Sequence, residues 1–174
     1  MEQQKPISHI AAGLIIAGIL IVISAATSIL GLSTNRGVGL LQPLVILVAL
    51  IFLIRLYGKA HDYNLTFGNL FAYGFKATTV FTLLSVAFTI IFLLLFPDLK
   101  EKSFEVARQQ LEDNPNISDD QIDQMLEVSR KYFWVGIVGG SVFFTVVQGA
   151  IGSLIGAAVT KKRPRSPFEQ TQQL

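Results

Sequence analysis

The chain has 174 residues, of which 51% are hydrophobic and only 15% are charged, and its mean hydropathy is +0.53. This composition is typical of an integral membrane protein, and the length is that of one domain. Cysteine is absent, which excludes disulfides, thiolate catalysis and cysteine-ligated zinc. We therefore expect residues 1–174 to form a single all-α membrane domain.

The first hydrophobic stretch covers about residues 10–32 and carries no charge. It is longer than the apolar region of a signal peptide, so we interpret it as a retained transmembrane helix. A second span is predicted over residues 38–56, with Pro43 in its first turns, where a proline disturbs a helix least. Arg55, Tyr57 and Lys59 form a basic and aromatic boundary at its end.

The stretch before the third span combines polar residues with an aromatic stripe. Thr66 can cap a helix, and Phe67, Phe71 and Phe75 follow at four-residue spacing on one helical face. We expect a short amphipathic segment at the membrane surface, leading into a third span over residues 77–96. Hydroxyl side chains recur along that span at helical spacing, at Thr78, Thr82, Ser85 and Thr89.

A polar segment over residues 98–131 separates the third and fourth spans. It holds nine of the twelve acidic residues: Asp98, Glu101, Glu105, Glu112, Asp113, Asp119, Asp120, Asp123 and Glu127. Asn114-Pro115-Asn116 predicts a break between two helices. Ser118 and Gln121 then have the spacing of a capping box at the start of the second helix. The sequence thus predicts an acidic extramembrane helical hairpin, with Ile122, Met125 and Leu126 on the less polar face of its second helix.

The fourth span, predicted over residues 132–159, is rich in glycine. Its candidate packing residues are Gly136, Gly140, Gly149, Gly152 and Gly156, which include two small-xxx-small pairs. Such a surface would allow close helix packing, either inside the four-helix bundle or between two copies in a homo-oligomer. Gln148 lies near the middle of the span.

The basic residues indicate the orientation in the membrane. The tail over residues 160–174 carries Lys161, Lys162, Arg163 and Arg165 directly after the fourth span. The positive-inside tendency then places both termini in the cytoplasm and the acidic hairpin on the opposite side. In this setting the basic cluster indicates contact with anionic lipid headgroups, or a topology signal alone, and not a nucleic-acid site.

Several short stretches together resemble a known family. They are Tyr57-Gly58, Leu65 to Gly68, Gly74-Phe75, Gln121 to Asp123, Glu127 to Tyr132, the glycines of the fourth span and Thr160 to Lys162. With them, the chain is similar to small four-span bacterial membrane proteins grouped as a domain of unknown function. The resemblance implies a protein of the bacterial inner membrane and assigns no activity.

Catalytic, metal and cofactor sites are not predicted. No ionisable residue lies deep in a span, whereas nucleophilic catalysis needs two or three such groups within hydrogen-bond reach. His61 and Asp62 have no third ligand at helical spacing. The acidic run from Asp113 to Asp123 lacks the glycine and the final glutamate of a calcium loop.

Two functions from different classes remain. The first is a non-enzymatic membrane protein whose hairpin binds a protein partner or lipid; an equally simple interpretation docks the hairpin's apolar stripe on its own bundle. The alternative is a small oligomeric channel or transporter. Its pore would be lined by Thr78, Thr82, Ser85, Thr89 and Gln148, residues that would equally serve as contacts between helices.

Overall fold

The computed structural model describes residues 6–32 and 36–163, and in these residues every element of regular secondary structure is a helix. The helices are α1 (His9–Ile29), α2 (Arg36–Gly39), α3 (Leu41–Ala60), α4 (Phe67–Leu95), α5 (Pro97–Glu112), α6 (Asp119–Lys131) and α7 (Phe133–Val159). Four stretches are long and apolar enough to cross a membrane: His9–Ile29, Gly37–Ala60, Phe67–Leu95 and Phe133–Val159. This confirms the four predicted spans.

Local signals determine where the helices begin and end. Ser8 caps α1 by accepting a hydrogen bond from the Ala11 amide at 3.1 Å. Gly31 follows the end of this helix, and its φ of +67° lets the Leu32 amide donate to the Thr27 carbonyl. This closure ends the helix at Ile29, short of the sequence-based boundary at residue 32.

The turn between α3 and α4 has an unusual backbone. Asp62 and Tyr63 both adopt left-handed conformations, with φ of 51° and 59°. Two consecutive non-glycine residues in this region are uncommon: aspartate is enriched there, whereas a bulky residue such as tyrosine is rare. The Tyr63 amide donates to the Gly58 carbonyl at 2.9 Å, which holds the turn closed.

Helix α4 begins ten residues before the predicted third span. Thr66 caps it as expected, by accepting from the Asn69 amide at 3.2 Å. No proline interrupts the chain until Pro97, so the segment carrying Phe67, Phe71 and Phe75 continues directly into the span instead of forming a separate element. A helix of 29 residues is about 43 Å long, which exceeds a hydrocarbon core of about 30 Å.

The chain divides into two compact units. The first unit contains Met1–Thr82 and Thr145–Leu174, and the second contains Leu83–Phe144. In the first unit α1, α3, the start of α4 and the end of α7 surround a core that includes Ile16, Leu50, Ile54, Leu70 and Phe81. In the second unit α5 and α6 pack against each other.

Candidate functional site

The paired helices α5 and α6 carry the densest set of charged and aromatic contacts in the second unit. Pro97 occupies the first turn of α5, where its missing amide is not needed. The predicted capping box starts α6: the Ser118 amide donates to the Gln121 side chain at 3.0 Å. Phe104 on α5 and Ile122 and Leu126 on α6 are buried, so they form the apolar contact of the pair.

Arg130 links α5 and α6 at the end of the hairpin that is far from the turn. Its guanidinium donates to the Glu101 carboxylate with an N···O distance of 2.7 Å, and it lies 4.5 Å from the centre of the Phe104 ring. The Phe104 ring is in turn 5.4 Å from the ring of Phe133 at the start of α7. One arginine thus combines an ion pair with a cation–π contact over the same aromatic core.

Arg108 links the two helices nearer the turn. It pairs with Glu112 on its own helix at 2.8 Å and with Asp123 on α6 at 3.1 Å. The hydrogen bond to Glu112, followed by the charge of Asp123, raises the pKa of the Arg108 guanidinium above its ordinary value. A guanidinium is charged throughout the physiological pH range even without this shift, so the contact carries a fixed positive charge.

A cleft lies between these two arginines. Its volume is about 420 Å³, and its lining residues are Phe104, Glu105, Arg108, Asp123, Leu126, Glu127 and Arg130. The apolar residues form part of its wall, and charges of both signs surround them. Such a surface can bind a partly apolar group that presents hydrogen-bonding and charged atoms in a matching arrangement.

An exposed apolar stripe runs along another flank of α6. Met125, Val128 and Tyr132 are 48%, 57% and 54% exposed. Met125 and Val128 lie three residues apart on one face of α6, and Tyr132, the residue that caps the end of this helix, follows Val128 at four residues. Met125 was expected on the same face as Ile122 and Leu126, but it lies on this exposed flank. The i, i+3, i+7 pattern was visible in the sequence, although two overlapping apolar stripes on one short helix are hard to separate by periodicity.

The predicted hydroxyl stripe does not form one continuous site within either unit. In the first unit Thr78 is buried and donates to the Gly74 carbonyl at 3.0 Å, and Thr82 is buried while Gln148 is half-buried. In the second unit Thr89 donates to the Ser85 carbonyl at 2.9 Å. At Thr78 the stripe is a packing contact, because the side chain lies against Gly149 of α7.

The candidate packing glycines fall into two groups. A Cβ at Gly149 would meet the Thr78 side chain, one at Gly152 would lie 2.9 Å from Leu50, and one at Gly156 would lie 2.6 Å from Ile54. By contrast, a Cβ at Gly136 or Gly140 would have no neighbouring atom of the described residues within 4 Å. Of these five candidates, only Gly149, Gly152 and Gly156 therefore lie close to another helix within the part of the chain that the structure describes.

The basic tail is partly engaged with the first unit. The Lys162 ammonium donates to the Ala157 carbonyl at 2.7 Å, so it satisfies the end of α7. The Arg163 amide donates to the Tyr63 carbonyl at 2.8 Å. The side chains of Lys161 and Arg163 are exposed, as headgroup contact would require, and Arg165 lies outside the described residues.

A family model described as a protein of unknown function (DUF4199) matches residues 11–162, which include every helix of both units except the start of α1. The chain belongs to the DUF4199 family. Comparison of this DUF4199 protein with curated proteins and with solved structures gives no match. Membership agrees with the resemblance seen in the sequence and leaves the activity to be inferred from the site.

The contacts of Arg130 in the DUF4199 hairpin can be separated by two substitutions. Glu101→Gln removes only an exposed ion pair, so we expect it to weaken the hairpin by about 0.5 kcal/mol or less. Arg130→Gln also removes the cation–π contact with Phe104, and the expected loss is about 1 kcal/mol. Hydrogen exchange of the α6 amides in the full-length protein measures both. Equal exchange in the two variants would show that the aromatic contact adds nothing.

Proposed function

We propose that this protein is a non-enzymatic integral membrane protein of the bacterial inner membrane that binds a protein partner through the α5–α6 hairpin. The carrying observation is the exposed stripe of Met125, Val128 and Tyr132 on a helix whose other flank holds a charged cleft. An apolar helix face supplies binding area, and the neighbouring charges supply orientation and selectivity.

The charge of the hairpin favours a protein over a lipid surface. Residues 97–131 contain nine acidic and five basic side chains, a net charge of −4. Asp119, Asp120, Asp123 and Glu127 all belong to α6, the helix with the apolar stripe. Anionic headgroups would repel this helix, whereas a basic protein surface would attract it.

The basic residues of the first unit support cytoplasmic termini. The ends of α3 and α7 meet, since Thr160 packs against Gly58 and the Arg163 amide binds the Tyr63 carbonyl. Lys59 and the tail residues Lys161 to Arg163 therefore share one end of this unit, and the positive-inside tendency assigns that end to the cytoplasm. Helix α4 starts at this end and is long enough for one crossing, so the proposed topology places the following hairpin outside.

Site-specific photocrosslinking in native membranes tests the proposal. A photoreactive residue in place of Val128 should form an adduct with a protein, because Val128 is at the centre of the stripe. The matched control is the same residue in place of Asp119, an exposed position nine residues before Val128, which the 3.6-residue turn places on the opposite face of the same helix. We expect the adduct at position 128 to be at least several times stronger.

Three further results decide between interpretations. Competition by added Val128→Glu protein should be weaker than competition by the unsubstituted protein, since a charge within the stripe opposes binding. Adducts to lipid alone at position 128 would contradict the proposal and favour a surface that lies on the membrane. Adducts only to a second copy of this protein would identify the stripe as a contact between copies.

A further inference from the structure

A groove between α1 and α3 in the first unit is lined entirely by apolar side chains. Its volume is about 550 Å³, within the range of small-molecule sites. The lining residues are Ile7, Ile15, Ile19, Leu44, Val45, Val48, Ala49, Phe52, Leu53 and Leu56. No hydrogen-bonding side chain lines it, so an occupant would be held by shape and by apolar contact alone.

The groove has the length of one leaflet of a bilayer. Along α3 it extends from Leu44 to Leu56, which corresponds to about 18 Å of helix. Half of the hydrocarbon core measures about 15 Å. Ile7, which precedes the first turn of α1, lines the groove as well. The groove thus runs from near the membrane surface to about the middle of the bilayer.

Two basic residues continue the groove face of α3 at its surface end. Arg55 follows Val48 and Phe52 at seven and three residues, and Lys59 follows Phe52 and Leu56 at the same intervals. Residues at these spacings share one side of a helix. Both side chains are exposed, and no carboxylate of the residues that the structure describes pairs with either one.

We propose that the α1–α3 groove is a binding site for one acyl chain of an anionic phospholipid, whose phosphate is bound by Arg55 and Lys59. The apolar lining selects a hydrocarbon chain, and the basic pair selects the negative headgroup attached to it. A second copy of the protein fits less well. A two-fold axis along the membrane normal would bring the basic pairs of both copies to the same side, where they repel.

Tryptophan quenching by brominated lipids tests the site directly. The only native tryptophan is removed by Trp134→Phe, and Phe52→Trp then places a single reporter in the groove. Leu14→Trp is the matched control, because Leu14 is an exposed residue of α1 that does not line the groove. The protein is reconstituted with brominated phosphatidylglycerol or brominated phosphatidylcholine in mixtures with their unbrominated forms.

We expect phosphatidylglycerol to bind several-fold more strongly than phosphatidylcholine at position 52 and about equally at position 14. A membrane-surface cation contributes up to about fivefold, so Arg55→Gln with Lys59→Gln should bring the ratio at position 52 close to one. Val48→Trp reports on the same groove and repeats the measurement if Phe52→Trp does not fold.

Two results would overturn the assignment. If the ratio of phosphatidylglycerol to phosphatidylcholine binding were equal at positions 52 and 14, or were unchanged by the double substitution, the groove would be an ordinary lipid-facing surface without a headgroup site. Absence of quenching at position 52 by either lipid, together with disulfide dimers of Phe52→Cys, would show that a second copy of the chain fills the groove.

Discussion

Replacing Gly149 with alanine is expected to destabilise the protein by about 1–3 kcal/mol, the usual range for an overpacked contact. The new Cβ would lie 2.8 Å from the Cβ of Thr78, an atom fixed to the backbone of α4. Rotation of the Thr78 side chain cannot relieve that approach, so α4 and α7 would have to separate within the first unit. Unfolding in detergent, followed by circular dichroism, measures the loss.

The same change at Gly140 is the matched control. Gly140 lies on the same helix, but its Cβ would meet no described atom within 4 Å. We expect Gly140→Ala to be neutral or to stabilise the helix by up to about 1 kcal/mol, because alanine has the higher helix propensity. Adding Thr78→Ala to Gly149→Ala should recover part of the lost stability. Equal losses at positions 140 and 149 would contradict close packing at Thr78.

These glycines show what sequence periodicity can and cannot predict about helix packing. The spacing correctly placed them on faces of one long apolar helix, and Gly136-xxx-Gly140 and Gly152-xxx-Gly156 are indistinguishable as patterns. Among the residues that the structure describes, only the second pair lies against another helix, because Leu50 and Ile54 of α3 approach there. Periodicity reports a helix's own geometry, whereas packing depends on a neighbour more than ninety residues away in the chain.

The start of α4 illustrates a second limit. Hydropathy locates the apolar centre of a span, and on this basis the third span was predicted from residue 77. The helix itself begins at Phe67, because Thr66 provides a cap and no proline between residues 67 and 77 interrupts the helical hydrogen bonds. Gly68 and Gly74 reduce helix propensity, but Gly74 is held in the bundle, where Ser153 and Ile54 pack against it.

The basic tail shows the same dependence on tertiary contacts. Four clustered cations correctly indicated a charged end after the last span, and composition alone could not assign their individual partners. Lys162 binds carbonyls at the end of α7, and its ammonium lies 5.7 Å from the ring of Phe67. The Lys162 ammonium is thus bound within the first unit. Of the tail residues that the structure describes, Lys161 and Arg163 are then the candidates for headgroup contact.

Phe104→Ala is expected to have the largest effect on the hairpin, about 3 kcal/mol, as for other buried aromatic truncations. The side chain is 6% exposed and contacts both Arg130 and Phe133. Its removal leaves a cavity at the α5–α6 interface and deprives Arg130 of its aromatic partner. Limited trypsin digestion of the full-length protein should then cut faster at Lys100, Lys102 and Arg108, because local opening exposes these sites.

Val128→Ala separates hairpin stability from partner binding. Val128 is 57% exposed, so shortening it should change the digestion rate little. It should nevertheless weaken binding of the proposed partner in the photocrosslinking competition, since the stripe loses its central residue. Phe104→Ala should weaken both. If Val128→Ala also accelerated digestion, the stripe would be packed against the protein itself; if Phe104→Ala left digestion unchanged, the hairpin would not depend on its aromatic core.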